Sequence, residues 1–92
     1  MDQIIKKSIN DLNEILPKEK KIIYQDSSLL IGKQSNLESI DLVNLFIFVE
    51  KNLKEEKKLT LTFDDMLQNI DQLKTIKTFK SYLIKKFQNE KK

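Results

Sequence analysis

One glycine and one proline in 92 residues leave this chain few places to turn sharply. Glycine supplies the positive φ of tight turns and proline their preset φ, so a chain poor in both is no turn-rich β-sandwich or barrel. A Gly-rich phosphate loop, which needs several glycines at fixed spacing, is excluded on the same count. The length makes one small domain, which buries roughly 60–65% of the surface its unfolded form exposes.

The composition removes further classes. The chain has no Cys and no His, so disulfides, zinc sites and Cys- or His-based catalysis are excluded. The start, Met1-Asp2-Gln3-Ile4-Ile5-Lys6-Lys7, lacks the basic-then-apolar order of a signal peptide. No apolar stretch approaches the ~20 residues that span a bilayer. A cytoplasmic chain with no membrane partner is the expectation. All 17 basic residues are Lys, and Arg is the preferred residue for bidentate phosphate and base-edge contacts. No nucleic-acid partner is expected; non-specific binding through Lys74, Lys77, Lys80, Lys85 and Lys86 is the weakest reading, because they form no single stripe. The net charge of +3 is uneven. Residues 36–56 carry two Lys against five acids, whereas residues 57–92 carry nine Lys against four. The middle of the chain is an acidic island.

Residues 2–16 place Ile4, Ile5, Ile9, Leu12, Ile15 and Leu16 at helical spacing, and Pro17 stops or bends that helix. Residues 17–36 read as a connection of about twenty residues, unusual in so small a domain. Leu29-Leu30-Ile31, just before Gly32, would pin it to the core. Ser35-Asn36-Leu37-Glu38 has the form of a capping box, which predicts a second helix from there to Lys54 or Glu55. Residues 57–63 alternate apolar and polar; with no second strand to pair with, they read as an extended loop. Thr62 or Asp64 can cap a short helix over 64–70. A last helix over 75–88 aligns Ile76, Phe79, Tyr82, Leu83 and Phe87, and residues 89–92 form a frayed tail. The fold expected is all-α, one domain over residues 1–92: a small bundle of three main helices and one minor one, with a long loop between the first two.

The second helix has two apolar faces. Leu42, Leu45, Phe46, Val49 and Leu53 fall within an arc of ~100° and form the core side. Ile40, Val43 and Ile47 project nearly opposite, with Phe48 between. Either the helix lies centrally and buries both faces, or the second face meets something outside the chain. Ser39 sits in the first turn, flanked by Glu38 and Asp41. Serine and acids are ordinary there, because they satisfy free N–H groups and face the positive end of the helix dipole. Position alone decides nothing.

The local string Leu37-Glu38-Ser39-Ile40-Asp41-Leu42-Val43-Asn44-Leu45 resembles the phosphopantetheine attachment site of acyl carrier proteins, usually Asp-Ser-Leu before an apolar helix that ends in acids. Leu30-Ile31-Gly32 resembles the loop that leads into that motif, and Leu73-Lys74-Thr75-Ile76-Lys77-Thr78-Phe79 the start of the family's last helix. The resemblance covers nearly the whole chain. It implies a four-helix bundle of acyl-carrier type and a non-catalytic carrier. Ser39 would take a covalent 4'-phosphopantetheine arm from coenzyme A, placed by a separate phosphopantetheinyl transferase, and the arm's thiol would hold acyl or aminoacyl groups as thioesters. Glu38, Ile40, Asp41, Val43, Asn44, Ile47 and Glu50 would meet partners, namely the transferase and the enzymes that activate and transfer the acyl group. A monomer is the expected state. The chain departs from the pattern at Glu38, Ile40, Asn44 and Lys51, and in its basic C-terminal third.

A phosphodiester at a helix N-terminus meets free N–H groups, and a flexible tether raises the local concentration of cargo at each docked enzyme. Carriers leave the hard chemistry to cofactor and partners, which suits carboxylates scattered over helix surfaces with no acid–base pair and no metal-ligand cluster in the sequence. The competing expectation is a small helical adaptor that is never modified, using the Ile40/Val43/Ile47 face to dock a partner helix.

Overall fold

Pro17 governs how the first helix ends. The residue before a proline is pushed out of the helical region, and Leu16 has φ −87° and ψ 146°. That step turns Leu16 into the core and leaves Ile15 56% exposed, although helical spacing alone puts Ile15 on the apolar face. The computed structural model describes residues 1–32, Ser35 and residues 37–90. Its elements are α1 (Asp2–Ile15), a 3-10 turn (Lys18–Lys20), α2 (Ser39–Lys57), α3 (Phe63–Gln68), a second 3-10 turn (Ile70–Gln72) and α4 (Ile76–Glu90). Among the described residues there is no strand, and the one isolated bridge pairs Leu29 with Thr75.

The all-α expectation therefore holds, with three long helices and one short. The Cα radius of gyration is 12.4 Å, as compact as the about 12 Å typical of a folded chain this long. Ile5, Ile9 and Leu12 of α1 meet Leu45, Val49 and Leu53 of α2 in a single core, all of them essentially inaccessible. Phe46 joins the remaining layers: its ring lies 5.9 Å from Phe63 and 6.1 Å from Phe79, in tilted and edge-on contact. All five apolar residues expected along α4 are buried. The alternating stretch before α3 is an extended connection that buries Leu61.

Four boundaries differ from the sequence expectation. The capping box of α2 lies three residues later than Ser35. Glu38 is the N-cap, and its backbone N–H donates to the Asp41 carboxylate at 3.0 Å. Ser35 instead holds the turn before it: its hydroxyl donates to the Leu30 carbonyl at 3.0 Å and accepts from Leu37 N–H at 3.1 Å. Asn36, the second member of the expected box, lies outside the described residues. At the far end α2 runs to Lys57 and stops at Lys58 in the left-handed region (φ 57°), a position that glycine usually fills. The third helix is capped by Thr62, as expected, but yields to a 3-10 turn at Asn69, whose side chain donates to the Asp65 carbonyl at 2.8 Å and competes with the helical pattern. Finally, α4 continues to Glu90, and the rest of the expected frayed tail, Lys91 and Lys92, lies outside the described residues.

The long loop is tied down at three points. Asn13 of α1 makes a two-way amide clamp on the Ile22 backbone, at 2.9 and 2.8 Å. The carbonyls of Ser28 and Asp26 accept from Ile76 and Lys77, two of the free N–H groups that open α4. Leu30 N–H donates to the Lys74 carbonyl at 2.7 Å. Of Leu29-Leu30-Ile31, only Leu30 is fully buried, since extended backbone sends neighbours to opposite sides. A charged knot adds a further tie: Lys80 Nζ lies 2.7 Å from Asp26 and 3.1 Å from Asp2, beneath the Tyr24 ring, and the Tyr24 hydroxyl donates to Asp2. Hydrogen bonds to Asp26 and Asp2 hold the Lys80 ammonium above its ordinary pKa, and those from Tyr24 and Lys80 hold Asp2 below its own. No helix among the described residues is long and apolar enough to cross a membrane.

Candidate functional site

The first turn of α2 is assembled from both sides. The helix begins at Ser39 because Glu38 caps it in extended conformation (φ −92°, ψ 171°) and Asp41 closes the box. Ser39, the first helical residue, is exposed, and no hydrogen bond to another described residue engages its hydroxyl. The long loop returns to the same turn through Lys20, whose ammonium lies 3.5 Å from Glu38 and 4.0 Å from Asp41. Two carboxylates, one ammonium and the open N–H groups of a helix start are therefore gathered at the turn that bears this exposed hydroxyl.

These groups are not equally available. Asp41 is nearly buried and committed to the cap, so the acid accessible at this turn is Glu38, whose side chain is 69% exposed. Further along, Ile40 and Ile47 stand out at 60% and 50% exposed, on the side of α2 opposite its core face. Val43, Asn44 and Glu50 are half-buried, and Leu42, placed on the core face by its spacing, is half-buried too. The second apolar stripe is thus two exposed isoleucines bridged by a partly covered valine. Below Ile47 the helix carries a shallow groove between Glu50, Lys51, Lys54 and Glu55, so the acidic island presents both signs here.

Of the lysines in and just before α4, Lys80 is held by Asp26 and Asp2, while Lys74, Lys77 and Lys85 are exposed. Among the described residues no three Asp or Glu side chains gather as a metal cage.

Sequence reasoning missed Lys20 and the cleft next to it. That cleft, of about 260 Å³, lies between the first 3-10 turn, the loop beyond it and the segment leading into α2. Lys20 and Lys21 form one side; Ile23, Leu29 and Leu37 supply apolar surface, and Ser27 adds a hydroxyl. Neither the Lys-Glu-Lys-Lys run nor Ile22-Ile23 has a period that marks it, because the proximity arises from the loop folding back, not from local spacing. Comparison with known proteins returned no match to this chain among family models, curated proteins or solved structures.

Proposed function

We propose that this chain is a carrier whose Ser39 hydroxyl takes a 4'-phosphopantetheine arm, on which acyl or aminoacyl groups travel as thioesters between partner enzymes. The observation that carries the reading is the exposed hydroxyl at the first position of a capped helix, in a string that resembles the attachment motif of acyl carrier proteins. In the loading step the serine oxygen bonds to the phosphorus next to pantetheine. The pyrophosphate bond of coenzyme A breaks, the nucleotide half leaves, and the serine proton passes to the transferase's base. The diester left behind carries one negative charge. The open N–H groups of the first turn and the Lys20 ammonium suit that anion, offsetting the nearby carboxylates of Glu38 and Asp41. Once attached, the arm supplies the thiol that this cysteine-free chain lacks.

Partners would then dock on Glu38, Ile40 and Ile47, the accessible members of the predicted set, with Val43, Asn44 and Glu50 at the margin. The test is intact-protein mass spectrometry after incubation with coenzyme A, magnesium and a broad-specificity phosphopantetheinyl transferase shown to be active on another carrier. A gain of one phosphopantetheine group on the Ser39 peptide, absent in Ser39→Ala, is the expected result. Failure of the wild type to load would count against the reading, and loading that persisted in Ser39→Ala would sink it.

The exposure of Ile40 and Ile47 also favours a second reading, an unmodified adaptor that docks a partner through this face. Under that reading Ile47→Asp abolishes binding whether or not Ser39 is present.

A further inference from the structure

We propose that the loop cleft beside Lys20 is the resting site of the arm attached to Ser39. The inference rests on the carrier reading and goes beyond it by naming where the arm lies between partners. The cleft borders the attachment point. Leu37, at its edge, precedes Ser39 by two residues, so at most about 7 Å of backbone separates them. Lys20 belongs to both places, lining the cleft while its ammonium reaches Glu38 and Asp41 in the first turn of α2.

The lining matches the arm group by group. Phosphopantetheine runs from an anionic phosphate through a branched dimethyl carbon to two amides and a thiol. The lining of the cleft holds the same kinds of group: the ammonium-bearing Lys20 and Lys21, the apolar Leu37, Leu29 and Ile23, and the Ser27 hydroxyl for an amide. Ile23 is 71% exposed and Leu29 39%, and both stand on backbone that is fixed. The Asn13 clamp holds Ile22, the Ser28 hydroxyl donates to the Ile23 carbonyl at 2.6 Å, and Leu29 is bridged to Thr75. The wall of the cleft formed by residues 22–29 is therefore preformed, which lowers the ordering cost of filling it.

The weakness of the site points to a tethered occupant. A cleft of about 260 Å³ that is open to solvent is small and shallow for a free ligand, since ligand pockets usually exceed about 300 Å³. A tethered arm is present at an effective concentration in the mM range, enough to occupy a site of mM affinity. The same weakness lets a docked enzyme draw the arm out without a large opposing cost.

The experiment compares unloaded and loaded protein, with loading confirmed by mass, by NMR of the amides and the Ile and Leu methyl groups. The expected result is shifts at Ile23, Leu29 and Lys20–Lys21 on loading, with contacts from the arm's methyl groups to Ile23 or Leu29 and no change at Ile47. Loaded Ile23→Ser/Leu29→Ser should then expose its thiol to a disulfide reagent about fivefold faster than wild type, by release of a weak tethered contact. Both substituted side chains are exposed, and an unchanged melting temperature verifies the fold. Loaded protein with shifts confined to residues 38–42, or spreading along Ile40 and Ile47, overturns the cleft and leaves the carrier reading standing. Absence of loading removes the carrier reading and the cleft's occupant together, and the mass measurement separates that case from the others. Concentration-dependent shifts at Ile23 and Leu29 in unloaded protein would make the cleft a contact between two copies of the chain, and also overturn the proposal.

Discussion

Asn52 is the polar residue on which the core's tolerance can be measured. It lies fully buried in α2 facing α1; its amide donates to Ser8 Oγ at 2.9 Å and to Asp11 at 3.2 Å, while its own Oδ1 finds no partner among the described residues. An unsatisfied buried acceptor costs about 1–3 kcal/mol, while the bond to Ser8 returns about 1 kcal/mol net and the bond to the Asp11 carboxylate about 1.5–3 kcal/mol. Asn52→Leu keeps the branched outline of the side chain, removes the orphan acceptor and adds apolar contact with α1, but its two methyl groups are bulkier than the amide's oxygen and nitrogen and crowd this fully buried position. Ser8 retains its bond to the Ile4 carbonyl at 2.8 Å, and half-buried Asp11 can hydrate. The terms nearly cancel, so the variant should lie within about 1 kcal/mol of wild type, a change of no more than about 4–8 °C in Tm. Asn52→Asp does the opposite. It places a second carboxylate against Asp11 and removes both donors, at a cost of about 3–5 kcal/mol at neutral pH. Burial and the like charge raise the new carboxyl's pKa in the folded state. The folded protein therefore holds a proton that the unfolded chain releases above about pH 4, so stability falls as pH rises from there and is regained in acid. Thermal unfolding followed by circular dichroism at several pH values reads both variants. A loss above about 2 kcal/mol for Asn52→Leu would show instead that the amide contributes more than its orphaned oxygen costs.

Adjacent positions in α2 should respond in opposite ways: Phe46→Ala, which removes the ring between Phe63 and Phe79, should cost about 3–5 kcal/mol, and Ile47→Asp should stay within about 0.5 kcal/mol of wild type. Denaturant midpoints decide it, and equal losses would mean that Ile47 is covered in solution. In alkali, Tyr24 should resist ionisation, because burial and its hydrogen bond to Asp2 push its pKa up to about 12; burial raises Tyr82 as well. Unfolded tyrosine ionises near pH 10, so between about 10 and 12 the folded state holds protons that the unfolded chain has lost, and stability falls as pH rises. Tyrosinate absorbance followed against pH tests this, and two tyrosines titrating near 10 would refute it.

The helices were legible because they bury local patterns. Ile4, Ile9 and Leu12, or Phe79, Leu83 and Phe87, repeat at helical spacing and are all buried, so the period alone places them. Ends were less legible because they depend on competing short-range bonds. Ser35-to-Glu38 and Glu38-to-Asp41 both fit a cap, and Ser35 is instead taken by the Leu30 carbonyl and Leu37 N–H, leaving Asp41 to close the helix start. Ile15 fits the apolar stripe, yet the backbone imposed by Pro17 puts Leu16 inside in its place. Within the site, Ser39, Ile40 and Ile47 emerge from one helix read by itself. Lys20 does not, since it lies eighteen positions before Glu38 in sequence while the side chains come within 3.5 Å.

That loop-borne lysine changes what the acidic island means. Read along the sequence, residues 36–56 present uncompensated negative charge to basic partners. In the fold, Asp41 is turned inward to its cap, Lys20 sits against Glu38, and Lys51 and Lys54 share the outer groove with Glu50 and Glu55. The field that steers a partner is correspondingly weaker, and exposed ion pairs of this kind contribute little to stability. If partners dock here as proposed, recognition would depend more on Ile40 and Ile47, where apolar surface is removed from water on docking, than on charge. Raising the ionic strength should therefore slow partner association only modestly, whereas Ile47→Asp should abolish it; a steep salt dependence with tolerance of Ile47→Asp would restore the acidic island as the docking element.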